Sequence, residues 1–510
     1  MEEHVDEQSH HANEVGDVGC MVDSHPSLAE SSERMGSEEA DSPFRKKFGK
    51  FKLNADAIRE RENLLKRQTE EKTIQSGGCI NHSMIAADVG FPTHSDTSVL
   101  VSRPKKWMLG KQYPVIEGKL YFMSLRDQSK LEELLQRSRE RGVKPDRTFF
   151  STDNLLLYYP FCADFGPLNI ACIYKFARLL QSKLEESLSR DMKVVYFSSA
   201  DMRLRTNAVT LLGCYLILVE NYTAEEAWLP FDFEDSNPFL QYQDASFELD
   251  SWKLDVVDVL QGVEKAKQER LIELEQFDLS LYEYFDHPAV ADMHVIVPEK
   301  FIALKGPSFQ KKALRSHSSK TPSDYLDFFQ QLNVKCVCRL NEKQYEETEF
   351  TSQGLNFYDI IFNDCSVPSR EDIVAFFRMC ELELPHGVIA IHCQAGLGRT
   401  GTMIGLYLMR YYRFTAREAI GYMRVMRPGV VIGPQQNFLE GMQQAMWQAG
   451  EGGIEALEEA MEAMAAGSQQ KDGSDEETRE QAREGAKLEE RAEEAREEVE
   501  EEKAEEAREE

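Results

Sequence analysis

Cys393 and Arg399 bracket the segment His392-Cys393-Gln394-Ala395-Gly396-Leu397-Gly398-Arg399-Thr400. The run Val388–Ile391 ahead of it is apolar and β-branched and predicts a strand, and a helical pattern follows it. A loop at such a junction points successive backbone N–H groups at one place, which with the helix N-terminus makes a cradle for an anion. Gly396 and Gly398 let the backbone curl, and Arg399 offers a planar fork matched to phosphate oxygens. A thiol at the bottom of that cradle is favoured as the thiolate, the form that attacks. Gln394, Ala395 and Leu397 complete the expected phosphate-binding loop. These types at these offsets imply phosphomonoester hydrolysis through a cysteinyl-phosphate, with Thr400 donating to the departing sulfur and His392 fixing the loop. A structural cysteine ahead of an ordinary helix explains neither the two glycines nor Arg399 and Thr400. The chemistry calls for no cofactor and no metal.

Such a thiolate needs an acid to protonate the leaving oxygen. The segment Tyr358–Pro368 offers Asp364, in a turn before a helix, and Asp359 competes with it. Further on, Ile432-Gly433-Pro434-Gln435-Gln436 forms a loop whose amides are placed to orient a hydrolytic water.

The elements that must hold these groups alternate short β-rich runs with amphipathic helices from about Gln112 to Trp447, an α/β signature. Ser369 with Asp372, followed by Ile373, Phe376, Phe377 and Cys380 at helical spacing, predicts a capped helix with one buried face. Thr415 and Glu418 predict another capping box, with Pro428 stopping that helix. Cys336 and Cys338 sit in the apolar run Val334–Leu340 and read as a buried strand rather than a metal site.

The nucleophile motif occurs twice. Phe197 to Asn207 aligns without gaps on Ile391 to Gly401, with Ser199 at the cysteine position and Arg205-Thr206 on Arg399-Thr400. Thr223–Ala227 matches Thr415–Ala419, and Tyr159–Asp164 resembles the stretch ending in Asp364. Three matches in order imply two domains of one fold, the first without a thiol and therefore catalytically dead.

The chain has 510 residues and a net charge of −30. That balance argues against binding nucleic acid or anionic membrane, both of which want a basic surface. No basic start with an apolar run marks a signal peptide, and no window approaches a membrane span. The ten cysteines read as reduced thiols of a cytosolic or nuclear protein. Residues 1–105 lack a sustained apolar period and read as disordered, with a basic patch at Arg45–Lys52. Domain boundaries are expected at 106–268 for the non-catalytic domain, 269–290 for a linker helix and 291–450 for the catalytic domain. Residues 451–510 read as an acidic tail, of which Lys471 to Glu510 has the composition of a solvated single helix.

The catalytic stretch, the tandem arrangement and Tyr159-Pro160-Phe161-Cys162-Ala163-Asp164-Phe165-Gly166-Pro167-Leu168-Asn169 resemble the cell division cycle fourteen phosphatases. So do Arg205-Thr206-Asn207-Ala208, Asp244-Ala245-Ser246-Phe247 and Arg427-Pro428-Gly429-Val430-Val431-Ile432-Gly433-Pro434-Gln435-Gln436. The resemblance covers roughly Tyr113 to Trp447. It implies two similar α/β domains joined by a linker helix, and a dual-specificity enzyme acting on phosphoproteins, chiefly at Ser-Pro sites of proline-directed kinases. It makes Asp364 the general acid and puts Gln435 and Gln436 in the water-positioning loop. It also places Glu283, Asp286 and Asp292 along an acidic groove that attracts Lys or Arg just after the Ser-Pro. The family acts in nucleus and cytoplasm, and at spindle, centrosome or basal body, in control of the cell cycle. Two positions depart from its pattern: Gln394 stands where Lys is usual, and Cys365 where Gly is usual.

Two other readings share parts of this pattern. A phosphoinositide phosphatase with the same loop needs lysines in it, where this chain has Gln394 and Leu397. A phospho-binding scaffold needs a lost catalytic group, whereas Cys393, Arg399 and Asp364 are all present.

Overall fold

The computed structural model describes residues 102–466, apart from positions 143 and 248–251 and parts of 310–319. The patch at Arg45–Lys52 and the stretch Lys471 to Glu510 lie outside the described residues. So does nearly all of the segment 1–105 expected to be disordered.

Two sheets carry the architecture. The first is built from β1 (Tyr113–Ile116), β2 (Leu120–Leu125), β3 (Arg147–Phe150) and β4 (Lys193–Ser199), in spatial order β1-β2-β4-β3. Helices α1 (Gln128–Glu140), α2 (Ile170–Leu188), α3 (Met202–Leu218), α4 (Ala224–Trp228) and α5 (Val256–Gln268) complete that half. The second sheet contains β5 (Met293–Val297), β6 (Phe301–Lys305), β9 (Val334–Arg339), β10 (Asn356–Asp359) and β11 (Val388–Cys393), in order β10-β9-β11-β6-β5. A two-residue pair, β7 (Ala313–Leu314) and β8 (His317–Ser318), stands apart from it. With the edge strand β10 set aside, β5, β6, β11 and β9 repeat the order of β1, β2, β4 and β3. In both sheets the first two strands are antiparallel and the others parallel. The duplication read from three short matches is thus a duplication of topology, and β4 and β11, the strands ending in Ser199 and Cys393, are counterparts. β11 is buried at every position, as a parallel strand covered on both faces must be.

The second half adds α7 (Leu326–Gln331), α8 (Thr348–Thr351), α9 (Arg370–Glu383), α10 (Gly398–Tyr412), α11 (Ala416–Met426) and α12 (Pro434–Ala449). Both expected capping boxes are formed: Ser369 with Asp372 starts α9 and Thr415 with Glu418 starts α11; the repeat match at Thr223 proves to be a third, with Glu226 at the start of α4. Each satisfies two backbone donors that a helix start otherwise leaves bare.

The halves share one apolar core in which Val259, Leu260 and Val263 of α5 join Ile420, Tyr422 and Met423 of α11. These helices cross through two glycines. A side chain at Gly262 would strike the backbone of Glu418 and Tyr422, and one at Gly421 would meet Val259 Cα at 2.8 Å. Arg417 of α11 reinforces the crossing, 3.0 Å from Asp258 and donating to the Lys253 carbonyl at 2.9 Å.

Two expectations change. The linker expected as a helix over 269–290 is helical only at α6 (Leu279–Asp286), preceded by a single 3-10 turn at Leu274–Gln276. The chain leaves α5 through Arg270, whose φ of 57° breaks a right-handed helix, and must be capped afresh by Asp278, which accepts from Leu281 N–H at 2.9 Å. The tail expected to begin at 451 starts instead with a docked helix over 454–466. Ile454, Leu457 and Met461 fall at helical spacing and are buried, and Glu462 pairs with Arg370 of α9 at 2.7 Å. Among the described residues no helix is long and apolar enough to cross a membrane.

Candidate active site

The site begins where β11 ends. Cys393, 2% exposed, lies beside Lys305 of β6, and the chain turns through residues 394–397 before α10 starts at Gly398. Each carbonyl of that turn has a protein donor. The Cys393 oxygen lies 3.2 Å from His392 Nδ1, and the Gln394 oxygen accepts from Gly306 N–H at 3.1 Å. The Ala395 and Gly396 oxygens accept from Arg427 at 3.0 and 2.9 Å, and the Leu397 oxygen from Gly401 N–H at 2.9 Å. In a planar trans peptide the N–H points opposite to the C=O, so fixing five carbonyls outward turns the following five N–H groups inward. That is the anion cradle expected above the sulfur.

The two glycines have different jobs. Gly396 has φ 69° and lies so close to the Leu304 carbonyl that a side chain there would collide. Gly398, also expected to curl the loop, is instead the first residue of α10, and a Cβ there would approach Gln435 Oε1 at 2.7 Å. Its smallness makes room for that side chain.

His392 is fully buried, and burial pushes its imidazole down to about 4. The ring is therefore neutral at physiological pH. A carbonyl only accepts, so the ring proton sits on Nδ1 facing Cys393, and Nε2 accepts from the Tyr345 hydroxyl at 2.6 Å. Arg339 supports that tyrosine by donating to its carbonyl at 2.7 Å.

Arg399 is completely buried in the first turn of α10. Its Nη1 donates to the carbonyls of Phe362 at 2.8 Å and Leu340 at 3.4 Å. Its Nε and Nη2 meet no aligned protein acceptor, and neither does the buried hydroxyl of Thr400. Asp364 is 60% exposed and brings Oδ1 to 3.1 Å from Arg399 Nη2, near enough for an ion pair but without hydrogen-bond alignment. Asp359, its rival on sequence, is held bidentate by Arg339 at 2.6 and 2.7 Å, which leaves Asp364 as the carboxyl at the mouth. Cys365, the residue after it, has φ 55°, a backbone that glycine adopts with less strain.

Gln435 and Gln436 part company. Gln435 accepts from Ile432 N–H at 3.1 Å and donates to the Ser366 carbonyl at 3.0 Å, bridging to the acid loop above Gly398. Gln436 is turned inward, accepting from Arg424 at 2.7 Å and donating to the Gly433 carbonyl. Sequence reasoning put both beside the water; only Gln435 reaches the loop.

Each of the three acids expected along a groove is engaged. Glu283 pairs with Lys175 at 2.5 Å, Asp286 with His294 Nε2 at 2.9 Å and Asp292 with Arg427 at 2.9 Å. Arg427, 2% exposed, thus joins two carbonyls of the nucleophile loop to Asp292, a role not assigned from sequence. Its Arg-Pro-Gly setting was the available signal.

In the first half, Ser199 N–H donates to Asp153 at 2.6 Å, and Asp201 accepts from the N–H groups of Arg203 and Leu204 at 2.8 and 3.0 Å. Arg205 donates to the Pro238 carbonyl at 3.1 Å and lies 5.2 Å from the Trp107 ring centroid. Asp164 is buried, accepting from Tyr158 at 2.5 Å and Cys162 N–H at 2.8 Å.

A cysteine at the foot of an N–H cradle with an arginine in the following helix turn defines a phosphatase-type α/β site, here with a degenerate copy beside it. Comparison with known proteins agrees. Residues 114–266 match the family described as "Dual specificity protein phosphatase, N-terminal half", and residues 313–412 match "Polymorphic toxin system, DSP-PTPase phosphatase". The chain is 39% identical over 337 residues to the dual specificity protein phosphatase CDC14A of Homo sapiens, covering 66% of this chain and 54% of that one. It is 36% identical over 303 residues to human CDC14C, covering 59% of this chain and 67% of that one. With the tyrosine-protein phosphatase CDC14 of Saccharomyces cerevisiae it is 37% identical over 297 residues, covering 57% and 54%. The chain belongs to the CDC14 family of dual-specificity phosphatases, and it spans about half the length of most of these relatives.

Proposed function

We propose that this chain is a cysteine-dependent protein phosphatase acting on phosphoserine and phosphothreonine, chiefly at Ser-Pro sites, and on phosphotyrosine. The observation that carries the reading is the Nε and Nη2 edge of Arg399: a buried guanidinium, in the first helical turn after the Cys393 loop, whose bidentate fork meets no aligned protein acceptor. Burying such a group has a high energetic cost unless a ligand completes it.

The Cys393 thiolate attacks phosphorus, the ester P–O bond breaks, and Asp364 gives its proton to the leaving oxygen. Water then attacks the phosphocysteine, giving a proton back to Asp364, while Thr400 donates to the sulfur as the S–P bond breaks. Arg399 and the loop N–H groups hold the phosphoryl oxygens through both steps. Kinship with CDC14 proteins supports substrates from cell-cycle control, and a nuclear and cytoplasmic setting is part of the same proposal.

Glu283, Asp286 and Asp292 supply the preference for a basic residue after the Ser-Pro. Because each already has a basic or imidazole partner, the preference is a few-fold, below what three solvated charges at about 0.5–1 kcal/mol each would give. The test compares a phosphoserine-proline peptide carrying Lys two residues beyond the proline with its Ala variant and with a phosphoinositide. Peptide turnover should exceed lipid turnover, and the Lys preference should fall with salt and vanish in a Glu283→Gln/Asp286→Asn double variant. Preferential turnover of the phosphoinositide would sink the protein-substrate reading; a Lys preference that survives the double variant would remove those two acids from the groove.

A further inference from the structure

The non-catalytic half reaches the catalytic loop at one buried carboxylate. Asp244, 3% exposed, accepts from Gly433 N–H at 2.6 Å through Oδ2 and from the Ser246 hydroxyl at 2.9 Å through Oδ1. Gly433 is the residue before α12, a helix whose start has no side-chain cap of its own. Pro434 follows it and has no N–H, so the Gly433 N–H is the last backbone donor before the helix turns. Around the same segment, Arg424 donates to the Val430 and Val431 carbonyls at 3.1 and 3.0 Å and to Gln436 at 2.7 Å. The first half also packs directly on it. Gly429 has φ 82°, and a Cβ there would stand 2.9 Å from the Phe161 ring and 3.3 Å from Ala245.

Resting on the phosphatase reading above, we propose that Asp244 is a positioning residue for the second chemical step, hydrolysis of the cysteinyl-phosphate. Its carboxylate fixes Gly433, Gly433 fixes the first turn of α12, and that turn places Gln435 between Gly398 and the acid-loop carbonyl of Ser366. In this assignment the side-chain amide of Gln435, held between the Ile432 N–H and the Ser366 carbonyl, orients the attacking water. The first step needs no such water, because thiolate, phosphorus and leaving oxygen are already joined in one complex. Displacing a positioning group by about 1 Å is enough to slow a step by 10–100-fold, so loss of the anchor falls on the second step alone.

Rapid-quench kinetics with an aryl phosphate on the full chain test this, comparing wild type, Asp244→Ala, Asp244→Asn and Gln435→Ala. Asp244→Ala should lower kcat about tenfold while leaving the rate of the first burst of aryl alcohol unchanged, so that acid-trapped phosphoenzyme accumulates, as it should in Gln435→Ala. Asp244→Asn keeps the size and an acceptor for Gly433 and should restore most of kcat, which separates positioning from misfolding. Burst rate and kcat falling together in Asp244→Asn, or kcat within twofold of wild type in Asp244→Ala, would overturn the assignment. Wild type that shows a Cys393-dependent burst keeps the phosphatase reading intact in either event. Wild type that releases no alcohol overturns that reading and this inference with it.

Discussion

The loops after β4 and β11 start from the same scaffold and treat their polar groups in opposite ways. Aligned on Arg205-Thr206 and Arg399-Thr400, α3 begins three residues ahead of its arginine and α10 only one. The first loop has partly wound into its helix. What remains of its cradle is filled from within, because Asp201 takes the N–H groups of Arg203 and Leu204. Arg205 is spent on a carbonyl and an indole, and the Thr206 hydroxyl accepts from Leu240 N–H at 2.9 Å. Their counterparts, Arg399 Nε and Thr400 Oγ1, have no hydrogen-bond partner, and Arg399 Nη2 has only the unaligned, exposed Asp364 beside it. The missing thiol is the visible lesion of the first half, but its own carboxylate already closes the anion site. On the proposed function, a completed hydrogen-bond inventory marks the copy without a thiol, and an incomplete buried one marks the copy that carries the chemistry.

The sharpest way to break this contrast is at the two nucleophile positions. Cys393→Ser should reduce turnover to background while phosphopeptide binding, measured by calorimetry, survives on Arg399 and the N–H cradle; Ser199→Ala should leave kcat within twofold. Equal losses in both would put the chemistry elsewhere. Next in size, Ala395→Asp copies Asp201 into the working loop. A carboxylate meeting an oxyanion costs a few kcal/mol, so vanadate or tungstate affinity should drop on the order of a hundredfold; unchanged affinity would deny that Asp201 is what closes the first site. Asp364→Ala should slow phosphoserine hydrolysis by roughly 10²–10⁴-fold and an activated aryl phosphate much less, since only the poor leaving group needs the proton. Equal slowing of both esters would remove Asp364 as the acid. The smallest effect is expected from Cys365→Gly. Relief of left-handed backbone strain, about 1–2 kcal/mol, is partly cancelled by the freedom glycine gains in the unfolded chain, about 0.5–1 kcal/mol. Thermal unfolding should therefore show no change or a gain of up to about 1 kcal/mol, and a clear loss would mean Cys365 holds the acid loop by contact rather than tolerating its turn.

What was legible in the sequence was local. The strand-to-helix pattern around Cys393, the capping boxes at Ser369 and Thr415, and the repeated Arg-Thr pair each lie within a dozen residues, and each reappears in the structure. What was not legible depends on contacts between distant segments. Arg427 holds the nucleophile loop only because α11 ends beside it, and Asp359 is taken up by an ion pair only because Arg339 lies on the neighbouring strand. The packed helix after Gly453 was missed because three apolar residues in an Ala- and Glu-rich stretch look like tail until the face they cover is known.

The crossing of α5 and α11 through Gly262 and Gly421 has a consequence for how the molecule can be taken apart. Glycines there let backbone rest on backbone, so the seam between the halves is packed like the interior of one domain rather than like two surfaces that met. A catalytic half cut free at the linker would carry a bare apolar groove along Ile420 and Met423, with Arg417 left without its Asp258 partner at the edge. Such a fragment would need a surrogate helix to stay soluble. Mutations that tune the dead half must therefore be selected in the intact chain, where its stability and the activity of its twin are inherited together.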